Sequence, residues 1–362
     1  MKGRDMFNVT LLPAGHGDAI WIDYGSGRTP NRVLIDGGLV GTYKAVVDRA
    51  GSDCRLELFC VTHVDQDHVE GAVKLMANLP PGMKVAELWY NGYDQIIKAA
   101  RLGAVQGEKL GAAIVDYDAA AWNRKFKGQA VVVGTRGALP SKTLDGGLKL
   151  TVLSPRPKEL AKLKPVWERE CRKAGLTPGD VDQAREALEA DRRLRPKRLG
   201  AKVDVRALAE SEYEADNSEA NGSSIALLAE FDGKAVLLGA DAHSEVLEAG
   251  IARLLKERRQ SKLKLDAFKV SHHGSMFNNS PALIGMLDCP RWLLSTNGEK
   301  FGHPDRETVA RILMARNGEE TQLYFNYLSE ETRVWNSDRL TQDWSFEAHY
   351  PEAKKGGITV EL

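Results

Sequence analysis

Thr62-His63-Val64-Asp65-Gln66-Asp67-His68 follows directly on the apolar run Leu56-Glu57-Leu58-Phe59-Cys60-Val61. The run reads as a short buried strand, and the stretch after it as a loop carrying His63, Asp65, Asp67 and His68. Four side chains able to ligate a metal thus fall within six residues. The chain has only 8 histidines in 362 residues, and a solvated polar loop has no reason to interleave two of them with two carboxylates. A rigid strand aims such a loop, alternate side chains converge, and metal held there can activate water.

The same placement recurs along the chain. Asp36 closes Val33-Leu34-Ile35, Asp241 follows Leu237-Leu238-Gly239-Ala240, His272 and His273 follow Phe268-Lys269-Val270-Ser271, and His303 follows Leu293-Leu294 after a glycine-bearing loop. Each alone is an ordinary loop residue. Together they have the layout of a metal site assembled from loops at one edge of a sheet.

Around these positions strand and helix patterns alternate, with glycines at the turns. Strands are expected at 7–12, 19–24, 32–38, 56–61, 85–90, 130–133, 148–153, 224–231, 235–239, 267–270 and 292–295. The Asp232-Gly233 turn makes a hairpin of 224–239. Helices are expected at 39–50, 70–78, around 94–121, and at 243–257, 281–287 and 305–315. That alternation predicts a single layered α/β domain over 1–362. Residues 156–220 read as a charged helical insertion within it, with helical spacing at 166–174 and 180–194. Its first part, 156–202, holds 14 Lys/Arg against 8 Asp/Glu, and 204–219 is acidic. Residues 320–362 read as a C-terminal extension.

Composition bounds the function. The chain is 43% hydrophobic and 28% charged, with 50 basic and 50 acidic residues. A globally basic nucleic-acid binder is excluded, although Arg192, Arg193, Arg195, Lys197, Arg198 and Lys202 cluster locally and suit a phosphodiester backbone. No run approaches the ~18 apolar residues of a membrane span. Four scattered cysteines and a start without a signal-peptide core point to the cytoplasm.

Thr-His-x-Asp-x-Asp-His resembles the signature loop of the metallo-β-lactamase fold, whose usual form is His-x-His-x-Asp-His. Asp65 at the second histidine is similar to the branch containing the hydrolase domain of the DNA-uptake protein ComEC. Gly15-His16-Gly17-Asp18, Leu34-Ile35-Asp36-Gly37-Gly38, Asn221-Gly222-Ser223-Ser224, Leu238-Gly239-Ala240-Asp241, Ser271-His272-His273-Gly274-Ser275 and Gly302-His303-Pro304 resemble its other motifs, in order. The resemblance covers roughly 7–155 and 218–315. It implies a four-layer αββα sandwich and two divalent metal ions. His63 and Asp65 would hold the first ion, Asp67 and His68 the second, Asp241 would bridge them, and His303 would be the final ligand. The middle histidine of typical members has no counterpart. Asn221 stands at about its place, and His272, His273 or water is left to fill it. Asp36 is expected to orient the signature loop.

The resemblance further implies a metal-activated hydroxide attacking phosphorus. His272 or His273 would act as general acid, with Asn221, Ser223 and Ser275 donating hydrogen bonds. On extended backbone adjacent residues face opposite ways, and His273 is taken as the pocket-facing one. Asp65 makes the site richer in oxygen, which favours Mn²⁺ over Zn²⁺, with Mg²⁺ as a third ion. The implied substrate is a nucleic-acid phosphodiester, DNA first, for an effector in phage defence working with a protein partner in a larger complex. Two other readings stand beside it: a small-molecule phosphoesterase acting on a nucleotide or phosphocholine-like ester, and a non-catalytic, metal-stabilised interaction module.

Overall fold

Every residue of the strand Ile20–Gly25 is buried, and this sets the layering, because successive side chains of a strand face opposite ways. Ile20, Ile22 and Tyr24 pack toward a second sheet, whereas Trp21 packs among helices. The computed structural model describes residues 5–26, 29–93, 95, 105–173, 177–178, 203–352 and 355–362.

The first sheet contains β1 (Met6–Leu11), β2 (Ile20–Gly25), β3 (Asn31–Ile35), β4 (Cys54–Cys60), β5 (Met83–Val85), β6 (Leu88–Trp89) and β17 (Ile358–Glu361). Its order is β17-β1-β2-β3-β4-β5, with β6 also paired to β4. The second sheet contains β7 (Ser141–Thr143), β8 (Lys149–Ser154), β9 (Ala226–Phe231), β10 (Lys234–Leu238), β12 (Ala267–Lys269), β14 (Arg291–Leu294), β15 (Thr321–Phe325) and β16 (Phe346–His349), ordered β16-β15-β14-β12-β10-β9-β8-β7. A small pair joins β11 (Leu263–Lys264) to β13 (Leu287–Asp288). Helices α1 (Tyr43–Ala50), α2 (Gln66–Ala77), α3 (Val105–Asp118) and α4 (Pro157–Lys173) cover the outside of the first sheet through Val46, Val73, Ile114 and Trp167. The second sheet is also buried on both faces. Its outer cover comes from α5 (Ser244–Arg258) and α6 (Arg306–Arg316), through Leu247, Ile251, Val309 and Ile312. The layers are helix, sheet, sheet, helix, the αββα sandwich expected. Among the described residues no helix is long and apolar enough to cross a membrane.

The hairpin β9–β10 turns on Asp232 and Gly233, both with positive φ (47° and 74°), as a two-residue type I′ turn requires. Three expectations are corrected. Ala130–Val133 is not a strand, because its backbone is satisfied elsewhere. Val131 N donates to Asn91 Oδ1 (2.7 Å), Asn91 Nδ2 donates to Val131 O (2.9 Å), and Val133 N donates to Pro155 O (2.8 Å). The run 85–90 is interrupted at Ala86–Glu87 and forms two short strands. Helix α2 begins at Gln66, not Glu70, so Asp67 and His68 ride on its first turn. The helix expected at 180–194 and the basic cluster 192–202 lie outside the described residues.

Parallel pairing directs the chemistry. β3 and β4 run parallel, as do β10, β12 and β14, so their C-terminal ends lie at common edges. The two edges meet where Ile225 N donates to Thr62 O (3.0 Å). Helix α2 is pressed against the end of β3: a Cβ on Gly71 would lie 1.9 Å from Gly37 O. That backbone contact, with Gly37 N donating to His68 O (2.8 Å), fixes the height at which Asp67 and His68 stand.

Candidate metal centre

Asp241 follows β10 and is buried, and its Oδ2 is faced by four imidazoles. The Nε2 atoms of His68, His272, His273 and His63 lie 3.2, 3.7, 3.7 and 3.8 Å from it. His68 and His273 bring their Nε2 atoms within 3.2 Å of each other. Asp67 Oδ2 stands 3.4 Å from His273 Nε2. Asp65, at the N-cap position of α2, makes no capping bond with its side chain, and its Oδ2 lies 3.7 Å from His63 Nε2.

The outward nitrogens fix which proton each ring carries. His273 Nδ1 meets Ser295 O (2.9 Å), a carbonyl that can only accept, so Nδ1 donates. His68 Nδ1 donates to Asp36 Oδ2 (2.8 Å). Thr62 Oγ1 spends its proton on Asp36 Oδ2 (2.8 Å) and accepts from His63 Nδ1 (3.0 Å). His272 Nδ1 donates to Asn278 Oδ1 (2.7 Å). In every neutral ring the inward Nε2 is therefore a lone pair. Lone pairs around a carboxylate oxygen attract one another only through protons or a cation placed between them. His63 Nε2 and Asp241 Oδ1 are buried without a hydrogen-bond partner among the described residues. This donor set fits divalent metal.

Charge follows the geometry. Burial pulls the His273 imidazole down, but Asp241, Asp18 and Asp67 outweigh it and hold its pKa at about 10. His68 is raised in the same way, Asp241 and Asp36 overcoming burial. Burial pushes the Asp241 and Asp67 carboxyls up, and the facing imidazoles bring both below the usual range. His272 stays low because burial dominates. Without metal, protons on His68 and His273 hold the cluster together. Metal loading near neutral pH is therefore expected to release protons, and apparent affinity should rise with pH until His273 loses its own near 10. Calorimetry of Mn²⁺ and Zn²⁺ binding in buffers of different ionisation enthalpy measures this. Binding without proton release would remove the imidazoles from the ligand set.

The placement of the expected residues is specific. His63, Asp65, Asp67, His68, Asp241, His272 and His273 come together. His303 stands further out, its ring 5.4 Å from that of His272 and its Nδ1 3.2 Å from Asp305 Oδ1. Asn221 is committed behind the cluster, where its Nδ2 donates to Asp216 Oδ2 (2.7 Å). Asp36 grips His68, Thr62 Oγ1 and Thr62 N (2.7 Å), the orienting role expected. The premise that His272 and His273 face opposite ways is corrected. Both have positive φ (45° and 53°) in a 3-10 turn, not extended backbone, and both aim Nε2 inward. Ala240, with φ 47°, occupies the same left-handed region, which glycine adopts more readily.

Sequence reasoning assigned no role to four supporting residues. Asp18 and Lys269 form a fully buried pair (2.5 Å) behind His273, and a lone lysine in an apolar strand was a visible signal. Asp216 and Asn278 lie behind His272, and nothing in the local sequence marks them.

No family model matches the chain, and no curated protein matches it. Among solved structures it is similar to a mutant of CmlA beta-hydroxylase, at 11% identity over 98% of this chain and 54% of that one, with a TM-score of 0.38. It is also similar to a diphosphatase from the PhnP family, at 9% identity over 99% of both chains and a TM-score of 0.39. A third is Zn(2+)-bound PqqB from Methylobacterium extorquens, at 11% identity over 98% of this chain and 100% of that one, with a TM-score of 0.38. The chain spans about half the length of the first of these. Likenesses this distant add no argument to the layers described above.

Proposed function

We propose that the chain is a metal-dependent phosphodiesterase acting on nucleic acid, DNA in the first place. One observation carries the hydrolase reading: four imidazole Nε2 atoms and the carboxylates of Asp67 and Asp241 converge at a buried point where two sheet edges meet. Bound divalent ions would supply Lewis acidity there, lowering the pKa of a water and offsetting charge on phosphoryl oxygens. His63, His68, His272, His273, Asp67 and Asp241 would hold them, with Asp65 as the exposed carboxylate at the rim.

Both nitrogens of His273 are engaged within the cluster, and the ring is buried. Proton delivery to the leaving oxygen is assigned to His303, whose ring lies beside the cluster, 5.4 Å from that of His272. Beside it Phe301 is exposed, its ring 5.9 Å from His303 and 4.5 Å from Lys300 Nζ. An aromatic and a cation at the mouth suit a base and a phosphate. The order of the motifs and the Arg192–Lys202 run support the same substrate class. Asp65 draws the site toward Mn²⁺, and the added imidazoles draw it back toward Zn²⁺.

The test is a screen with Mn²⁺, Mg²⁺ or Zn²⁺ singly, on linear and circular DNA, RNA and chromogenic phosphodiesters, with Asp67→Ala as control. Cleavage of DNA that Asp67→Ala loses is expected. Turnover of small esters alone would remove nucleic acid from the reading. No turnover with any ion, or an undiminished Asp67→Ala, would overturn the reading as a whole.

A further inference from the structure

The segment leading into β9, residues 203–225, carries one residue that reaches the candidate metal centre from behind. Asp216 lies on irregular backbone there, with its side chain 12% exposed. It is tied down at three points. Its N–H donates to Phe277 O (3.1 Å), its Oδ1 accepts from Ser218 N (2.8 Å), and its Oδ2 accepts from Asn221 Nδ2 (2.7 Å) and Asn278 Nδ2 (2.8 Å). Asn278 is fully buried. Its amide nitrogen faces acceptors only: Asp216 Oδ2, Asp241 O (3.1 Å) and Ala242 O (3.5 Å). The amide has one orientation that satisfies these, and it turns Oδ1 toward His272 Nδ1 (2.7 Å). Asn221 Nδ2 also stands 3.4 Å from His272 Nδ1, but the Asn278 oxygen at 2.7 Å is the closer partner and can only accept, so His272 carries its proton on Nδ1 and leaves Nε2 as a lone pair toward Asp241.

We propose that Asp216 is a positioning residue that, through the Asn278 amide, fixes the tautomer of His272 and so makes His272 a metal-binding group. The inference rests on the metal-dependent reading above. It gives the place left by the missing middle histidine to His272, and assigns its support to a connector outside both sheets. The carboxylate is needed because it accepts two amide N–H groups at one oxygen. A side chain without that oxygen leaves Asn278 free to turn, and a turned amide puts N–H against N–H.

The experiment compares wild type with Asp216→Ala, Asp216→Asn and Asn278→Asp. Mn²⁺ stoichiometry and affinity are read by competition with a fluorescent chelator. Each variant is expected to bind one ion about 10- to 100-fold more weakly. Long-range proton–nitrogen spectra of the metal-free proteins should show the His272 proton on Nδ1 in wild type and no longer held there in Asp216→Asn, a readout that a purely structural role would not move. A proton on Nε2 in wild type, unchanged affinity in Asp216→Ala, or the wild-type tautomer in Asp216→Asn would overturn the assignment. Wild type that binds no divalent ion would instead overturn the metal-dependent reading itself, a result distinct from the other three.

Discussion

Asp241→Ala is expected to abolish divalent-ion binding and to lower hydrolysis by on the order of 10³-fold or more. Four imidazoles face this one oxygen, and nothing else among the described residues faces all four. Elemental analysis of the purified protein and the thermal shift on adding Mn²⁺ or Zn²⁺ read the first part, and phosphodiester turnover the second. The variant also loses stability without metal. His273 binds its proton more tightly folded than unfolded, with a pKa near 10. Its contribution is therefore fully present below the ordinary imidazole range and is lost as pH climbs through that value. Removing the carboxylate leaves the buried imidazoles to Asp18, Asp67 and Asp36 alone, which costs a part of the roughly 3–5 kcal/mol lost with a fully broken buried pair. A variant that keeps its ions and its activity would mean that Asp241 only packs.

Lys269→Met carries the second large effect, and it acts on stability. Lys269 and Asp18 are both fully buried, and the ammonium lies 2.5 Å from Asp18 Oδ2. Burial pushes the Asp18 carboxyl up, and Lys269 with His273 brings it far below the usual range. Methionine fills the space of the lysine stem and removes the charge. The expected cost at neutral pH is about 3–5 kcal/mol, seen as a lower urea midpoint. The sign with pH is fixed. A depressed carboxyl contributes stability above its unfolded pKa and loses it as pH falls. The gap between variant and wild type should therefore narrow on acidification. Asp18→Asn/Lys269→Met should recover much of the loss, because it leaves neither charge alone. A single variant within 0.5 kcal/mol of wild type, roughly the range of surface substitutions, would show that Asp18 finds another partner.

The parts of this site that were legible in the sequence are those whose residues are neighbours in the chain. His63 to His68 follow one strand, and the strand-end positions of Asp241, His272 and His273 follow from short apolar runs. Residue identity could not disclose the backbone of Ser271–Gly274. Two consecutive histidines with positive φ are held there by contacts such as His272 N to Ala240 O (2.8 Å), and that partner lies in the turn after β10. Ala130–Val133 misled for a related reason: its β-branched composition was right for a strand, but the Asn91 side chain took the place of a neighbour. Asp216 was invisible because it sits among acids that read as a solvated connector, and its partner Asn278 is 62 residues away.

His63, Asp67 and His68 hang from the first sheet, and Asp241, His272 and His273 from the second. Neither half of the molecule holds a working constellation, and the two are joined across an interface that must already be packed. A bound ion would therefore report that the two sheets have met. Sheets that met in the wrong register would leave His63, Asp65, Asp67 and His68 on one side and Asp241, His272 and His273 on the other.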